Sequence, residues 1–213
     1  MSIIATDLDG TIFKGQTLID GVKEGLLKII NEGIEIYYTT NNSSQTPSEI
    51  KDKLEYLLQL NIDISKIITP LVIFQNLYSN NKSNIFIYGS DNLKNYIKNL
   101  NINVTSLENA ELVLIGRKEE NNFSEINEII KSVSIGKNIL SLNKDLTFPT
   151  EFGEKAGNGA VVKIIEDELS ISIPTLGKSG NHYSSYFIQN KITVNFVIGD
   201  RVDTDIIFGN NLN

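Results

Sequence analysis

The chain predicts an α/β fold, a doubly wound and mostly parallel sheet core with an inserted α/β cap domain. Three observations carry this. Short apolar runs such as Ile3-Ile4-Ala5 and Leu112–Ile115 alternate with segments of helical periodicity. Continuous apolar runs mark strands buried on both faces, as in parallel sheets. Two cap-plus-proline signals, Thr46-Pro47 and Thr69-Pro70, open helices.

Ile3 to Ala5 is the opening strand, and Asp7-Leu8-Asp9-Gly10-Thr11 ends it. Period two aims Asp7 and Asp9 the same way, and Gly10 permits a sharp turn. Val22, Leu26, Ile29 and Ile30 recur at helical spacing, with Gly33 as the stop. Ile34 to Thr39 is a second strand, followed by the polar loop Thr40–Ser44. Thr46 caps the next helix, Pro47 sits at N1 and Glu49 completes the capping box; Ile50, Leu54, Leu57 and Leu58 form its buried stripe. Thr69-Pro70 repeats the signal before Phe74, Leu77 and Tyr78.

Strands at Ile85–Tyr88, Leu112–Ile115 and Ile139–Leu142 then alternate with helices marked by Leu93, Ile97 and Leu100 and by Phe123, Ile126, Ile130 and Val133. Ala160–Leu169 reads as helix, Pro174–Leu176 as short and extended, and Tyr183–Ile188 as weakly helical. Thr193 to Ile198 reads as a buried strand ending in Gly199-Asp200, and Asp203 to Gly209 starts a last helix. Gly153, Gly157 and Gly159 suggest a bent loop.

A length of 213 residues with 40% hydrophobic content suits one large domain or a core plus a modest insert. The net charge of −7, with no basic stretch, argues against a nucleic-acid or anionic-membrane partner. It leaves room for a small phosphorylated metabolite, because a metal ion and one lysine reverse the sign locally. No cysteine is present, which excludes disulfides, thiolate metal sites and cysteine nucleophiles. The single histidine, His182, excludes two-histidine mechanisms and reads as a helix-capping or packing group. With no basic-then-apolar leader and no run of 18 apolar residues, the expectation is a soluble, cytoplasmic protein.

Ligands of such sheets lie outside the carboxyl ends of the strands. Asp7 and Asp9 end the first strand, and Thr40 and Asn41 end the second. Lys178 follows Leu176-Gly177, and Asp200 ends the last strand, with Asp203 and Asp205 just beyond. Two carboxylates as close as Asp7 and Asp9 repel by about 4 kcal/mol at an effective dielectric near 20. Such a pair is solvated, holds a proton or holds a metal ion. Carboxylates from two strands suit Mg²⁺, and a hydroxyl, an amide and an ammonium suit an anion beside it. That inventory fits phosphoryl transfer to a carboxylate. Taken singly, Thr40-Asn41 fits an ordinary turn, Lys178 a solvated loop, and the acids after Asp200 a helix start. Two other matches fail: the first glycine of a P-loop ending at Gly177-Lys178-Ser179 falls on Ser172, and the third glycine of a dinucleotide fingerprint at Gly157-Asn158-Gly159 falls on Val162.

The segments DLDGTIFKGQTLIDG, TTNNSSQTPSEI, LGKSG and VIGDRVDTDIIFGNN, in that order, resemble the haloacid dehalogenase superfamily, and within it the NagD-like and p-nitrophenyl phosphatases. Weaker matches, IFIYGS, LVLIG, LNKDLTFP and GNGAVVKII, lie between them. The resemblance implies a Mg²⁺-dependent phosphatase of a small phosphate monoester, of the sugar phosphate, phosphoglycolate, pyridoxal phosphate or nucleotide type. Asp7 would be the nucleophile and Asp9 the acid and base. Thr40, Asn41 and Lys178 would contact the phosphoryl group, with Lys178 also offsetting charge on the nucleophile. Asp7, Asp200 and the Asp9 carbonyl would hold Mg²⁺, and Asp205 would support that metal shell. Asn143 and Asp145 are the cap residues expected near the substrate. Phe13 is read as a packing group near the site entrance.

The implied core comprises residues 1–78 and 177–213, with a cap at residues 79–176. The alternative is a phosphorylatable or non-catalytic phospholigand-binding domain without turnover. The family pattern continues past the last acidic motif with another strand and helix, whereas this sequence stops at Asn213. One sheet edge is therefore expected to be uncovered and to invite a homo-oligomer.

Overall fold

The computed structural model describes residues 2–150 and 153–212. The chain opens with strand β1 (Ile3–Asp7), a tight hairpin of β2 (Phe13–Lys14) and β3 (Thr17–Leu18), helix α1 (Val22–Asn31) and strand β4 (Glu35–Thr39). Helix α2 (Pro47–Leu58), strand β5 (Ile67–Ile68) and helix α3 (Pro70–Tyr78) follow. Near the end come helix α7 (Asn181–Gln189), strand β11 (Phe196–Ile198) and helix α8 (Ile207–Asn211). These pieces build a parallel sheet in the order β11-β1-β4-β5, with Ala5 opposite both Tyr37 and Val197.

The stretch between them builds a second parallel sheet, β6-β7-β8, from β6 (Ile85–Tyr88), β7 (Leu112–Ile115) and β8 (Asn138–Ser141). Helices α4 (Asp91–Asn99) and α5 (Phe123–Ser134) make its crossovers. An antiparallel hairpin of β9 (Thr147–Thr150) and β10 (Gly153–Ala156) leads into helix α6 (Asn158–Leu169). The expected α/β class with mostly parallel sheets is what the molecule adopts. The bent loop foreseen around Gly153 is this hairpin, where Gly153 has φ +105°.

Strand periodicity explains the packing of the second sheet. Val113 and Ile115 of β7 face a cluster with Ile126, Ile129, Val161 and Ile165 from α5 and α6. Leu112 and Leu114 face the other way, into a cluster with Phe74, Tyr183, Phe187 and Phe208. That second cluster also contains Ala5, so one buried apolar body joins the two sheets. The capping signals are realised: Thr46 and Glu49 form a reciprocal capping box on α2, and Thr69 accepts from Leu71 and Val72 on α3.

One strand departs from expectation. Residues 193–198 read as a buried strand, but only Phe196–Ile198 pairs, and Phe196 and Ile198 are 64% and 43% exposed. The strand lies at the sheet edge, with β1 on one side and no strand on the other among the described residues. Its apolar pattern resembles that of a central strand because sequence does not say whether a neighbour covers it. No described helix is long and apolar enough to cross a membrane.

Candidate active site

The carboxyl ends of neighbouring parallel strands gather the site. Asp7, the last residue of β1, is paired in register with Thr39 of β4, so Thr40 and Asn41 emerge beside it. On the other flank Ile198 pairs with Thr6, which brings Asp200 to the same rim. Two glycines admit the acids. Gly10 has φ +98°, and a Cβ there would lie 2.1 Å from Asp200 Oδ2. A Cβ at Gly199 would lie 2.1 Å from Asp205 Cγ. Residues Val202–Ile206 then wind as a π-helix, a form frequent at functional sites, and place Asp205 inward.

Lys178 is the electrostatic centre. Its side chain is fully enclosed, and its ammonium donates to Asp7 and to Asp205 Oδ1, the latter at 2.7 Å. Burial alone lowers the pKa of Lys178, but Asp7 and Asp205 outweigh it and hold the group above its usual range. Asp205 spends its other oxygen on the Arg201 N–H at 3.2 Å. The Lys178 N–H donates to Asn41 Oδ1 at 2.8 Å, which anchors this loop to the end of β4.

Asp7 is buried, and burial pushes its pKa up to about 6; Lys178 opposes this and Asp205 adds to it. Its Oδ1 takes the Lys178 bond while Oδ2 has no partner. Burial also raises the Asp9 carboxyl, offset by Lys53, then Lys178 and a hydrogen bond from Thr40.

The donor set fits a hard divalent cation. Carboxylate oxygens of Asp7, Asp200 and Asp205 lie within 4.8 Å of one another, and the buried Asp7 Oδ2 lacks a partner. Both Asp205 oxygens are already hydrogen-bonded, which leaves Asp7 and Asp200 as the carboxylates open to an ion.

Asn41 works as a clasp. Its Oδ1 takes the Lys178 N–H and its Nδ2 donates to Asp145 Oδ1 at 2.9 Å. Asn143 reaches the same loop, its Nδ2 donating to the Asn41 carbonyl at 2.9 Å and to Ser43 Oγ at 3.1 Å. Asn143 therefore joins the two parts of the chain, and its amide is committed. Asp145 keeps a carboxyl raised by burial, with the Asn41 bond and the Arg201 charge opposing.

One cleft is lined by Asp7, Asp9, Thr40, Asn41, Lys178 and Asp200 together with Asn143 and Asp145. Asp205 stands behind Lys178 rather than in the wall. Phe13 does not line the cleft; it is a core residue with the Lys53 ammonium 3.5 Å over its ring. Sequence reading passed over Arg117, Asn158 and Arg201, which also line the cleft. The signals for Asn158 were its place between Gly157 and Gly159 and in the segment GNGAVVKII.

A family model described as haloacid dehalogenase-like hydrolase matches residues 4–103. An acid sugar phosphatase of Staphylococcus haemolyticus is 30% identical over 214 residues, covering 97% of this chain and 80% of the relative. A p-nitrophenyl phosphatase from Archaeoglobus fulgidus has a TM-score of 0.89 at 20% identity, over 99% of this chain and 83% of that one. A glycerol phosphate phosphatase from Mycobacterium tuberculosis, in complex with magnesium, has a TM-score of 0.84 at 23% identity, over 99% of this chain and 65% of that one.

Proposed function

Because this chain belongs to the haloacid dehalogenase-like hydrolase family, we propose that it hydrolyses a small phosphate monoester through an aspartyl-phosphate on Asp7, with Mg²⁺ as cofactor. It is a phosphoric monoester hydrolase, as its acid sugar phosphatase relatives are by name. The observation that carries the mechanism is the Asp7–Lys178–Asp205 ion-pair chain, with one buried oxygen of Asp7, a residue lining the cleft, left unpartnered.

An Asp7 oxygen attacks phosphorus and the bond from phosphorus to the ester oxygen breaks. Asp9 gives its proton to the departing alkoxide, and its burial-raised pKa helps it hold that proton. Asp9 then takes a proton from water, which attacks phosphorus, frees inorganic phosphate and restores the Asp7 carboxylate. Lys178 holds Asp7 in place and offsets negative charge on the phosphoryl group. Thr40 and Asn41 contact that group from the end of β4. Asp7, Asp200 and the Asp9 carbonyl would hold Mg²⁺, which when bound supplies positive charge against the phosphoryl oxygens.

We assign the catalytic core to residues 1–78 and 177–213 and the cap to residues 79–176, supported by the separate parallel sheet each builds. A cytoplasmic setting belongs to the same reading, supported by the cysteine-free composition. The test is hydrolysis of p-nitrophenyl phosphate with and without Mg²⁺, beside Asp7→Asn. Metal-dependent turnover that the variant loses is expected; wild-type turnover in Asp7→Asn would overturn the assignment.

A further inference from the structure

We propose that Asn143 is a positioning residue rather than a reader of the leaving group: anchored by Asn158, it holds the Asn41 loop against the transferring phosphoryl group. This rests on the phosphatase reading above, in which Asn41 contacts that group, and adds two residues to the same site.

The first observation is how the Asn143 amide is spent. Its Nδ2 donates to the Asn41 carbonyl at 2.9 Å and to Ser43 Oγ at 3.1 Å, and its Oδ1 accepts from the Asp145 N–H at 3.3 Å. A carbonyl only accepts and a backbone N–H only donates, so the amide orientation is settled. Asn143 lines the cleft, yet both of its N–H groups are committed within the protein. It has no donor left for a substrate.

The second, independent observation is what holds the Asn143 backbone. Asn158 opens α6 and is buried. Its Nδ2 donates to the Asn143 carbonyl at 2.8 Å, to Ser141 Oγ at 3.0 Å and to the Ile115 carbonyl at 3.2 Å. Ser141 Oγ donates to the same Asn143 carbonyl. The ends of β7 and β8 and the start of α6 are thus pinned at one buried point, from which the Asn143 side chain reaches the Asn41 loop. Asn158 Oδ1 is buried without a partner, which costs stability. What Asn158 contributes lies in what its nitrogen holds.

Close packing transmits the hold. A Cβ at Gly157 would lie 2.1 Å from the Asp145 carbonyl oxygen, and one at Gly159 would lie 2.1 Å from that of Lys144. On the other side, a Cβ at Gly177 would lie 3.0 Å from Asn41 Oδ1 and 3.3 Å from Asn143 Cα. Asn41 is therefore fixed at three points: its carbonyl by Asn143, its Oδ1 by the Lys178 N–H and its Nδ2 by Asp145. An amide has two N–H groups, so one Nδ2 hydrogen remains for the phosphoryl group. A displacement of about 1 Å at such a contact costs up to about a hundredfold in rate.

The test compares Asn143→Ala and Asn158→Ala with the wild-type protein, in Mg²⁺, on p-nitrophenyl phosphate, glycerol phosphate and a hexose 6-phosphate, with rates taken per folded molecule. These esters share the phosphoryl group and differ in the leaving group. Each variant should lower kcat/KM by about tenfold to a hundredfold, equally across the esters to within about threefold. A residue that reads the leaving group would shift the preference among them, and a shift of about tenfold or more overturns the inference. In an Asn41→Ala background either substitution should cost less than about threefold, because the group it positions is gone. A full loss retained there makes the role merely structural and overturns the inference, as does wild-type kcat/KM in both single variants. If one variant does not fold, the other carries the same two readouts. Any of these failures in an active wild type leaves the phosphatase reading standing. A wild-type protein that hydrolyses no ester sinks both.

Discussion

Lys178 Nζ lies 2.7 Å from Asp205 Oδ1 while also pairing with Asp7, so one buried ammonium is shared by two carboxylates. Asp205 thereby positions the lysine that positions Asp7. Removing one member of a buried ion pair strands the others, at about 3–5 kcal/mol. Asp205→Asn is expected to lose stability on that scale in urea denaturation and to lower kcat. The Mg²⁺ concentration for half-maximal rate should change little, because both Asp205 oxygens are engaged within the protein. A large loss of Mg²⁺ affinity would instead make Asp205 a metal ligand.

Asp7 has a folded pKa near 6, above its ordinary 3.8. The folded state therefore binds the proton more tightly, and this group's stabilisation is present below about pH 4 and lost as pH rises through 6. The rise corresponds to about 3 kcal/mol against the charged form at neutral pH. In EDTA, wild-type stability should fall as pH rises from 4 through 6, and Asp7→Asn, which lacks the titrating carboxyl, should show a shallower slope on top of the loss from stranding Lys178. Melting temperatures across that range check this. Added Mg²⁺ should stabilise the wild type much more than the variant.

Gly10 is required twice, by its positive φ and by the approach of Asp200. Gly10→Ala should cost more than about 1 kcal/mol through backbone strain. It should also push Asp200 outward and raise the Mg²⁺ requirement by about tenfold, one RT ln 10 step of 1.4 kcal/mol. Titration of activity against Mg²⁺ distinguishes this from a purely structural loss, which would lower the amount of active enzyme without moving the midpoint.

Asn41 joins Lys178 to Asp145. Asn41→Ala should leave the Lys178 N–H without its partner, costing about 1–3 kcal/mol of stability. It should lower kcat/KM because both the lysine loop and the Asp145 wall lose a restraint. Asn41→Asp keeps the acceptor for Lys178 and repels Asp145, so it should retain more of the stability than Asn41→Ala and still impair turnover. Unfolding curves beside steady-state rates separate the two effects.

Much of this was legible in the chain. Local rules placed β1, β4, β6 and β7, because continuous apolar runs bounded by turn residues have few other solutions. Thr46, Pro47 and Glu49 specify a helix start within four residues, and the capping box formed as read. Taken singly the acids and the lysine had ordinary structural readings; they stood out together, by the order of their motifs along the chain. An uncovered sheet edge was expected, but the burial of β11 was misread, because Phe196 and Ile198 have the same apolar spacing whether or not a neighbour covers them. The commitment of Asn143 to the Asn41 loop was likewise invisible, since its partners lie about a hundred positions away.

By itself the sequence determined the α/β class, the chain positions of β1, β4, β6, β7 and β8 and which side chains carry charge at the ends of β1 and β11, since these depend on neighbours a few residues apart. Only the tertiary structure decided that Lys178 bridges Asp7 and Asp205, partners 171 and 27 positions away. It alone decided that Asn41 and Asn143 tie the end of β4 to the loop that carries Asp145. Such facts depend on burial and on through-space contact, and both exist only once the chain has closed on itself.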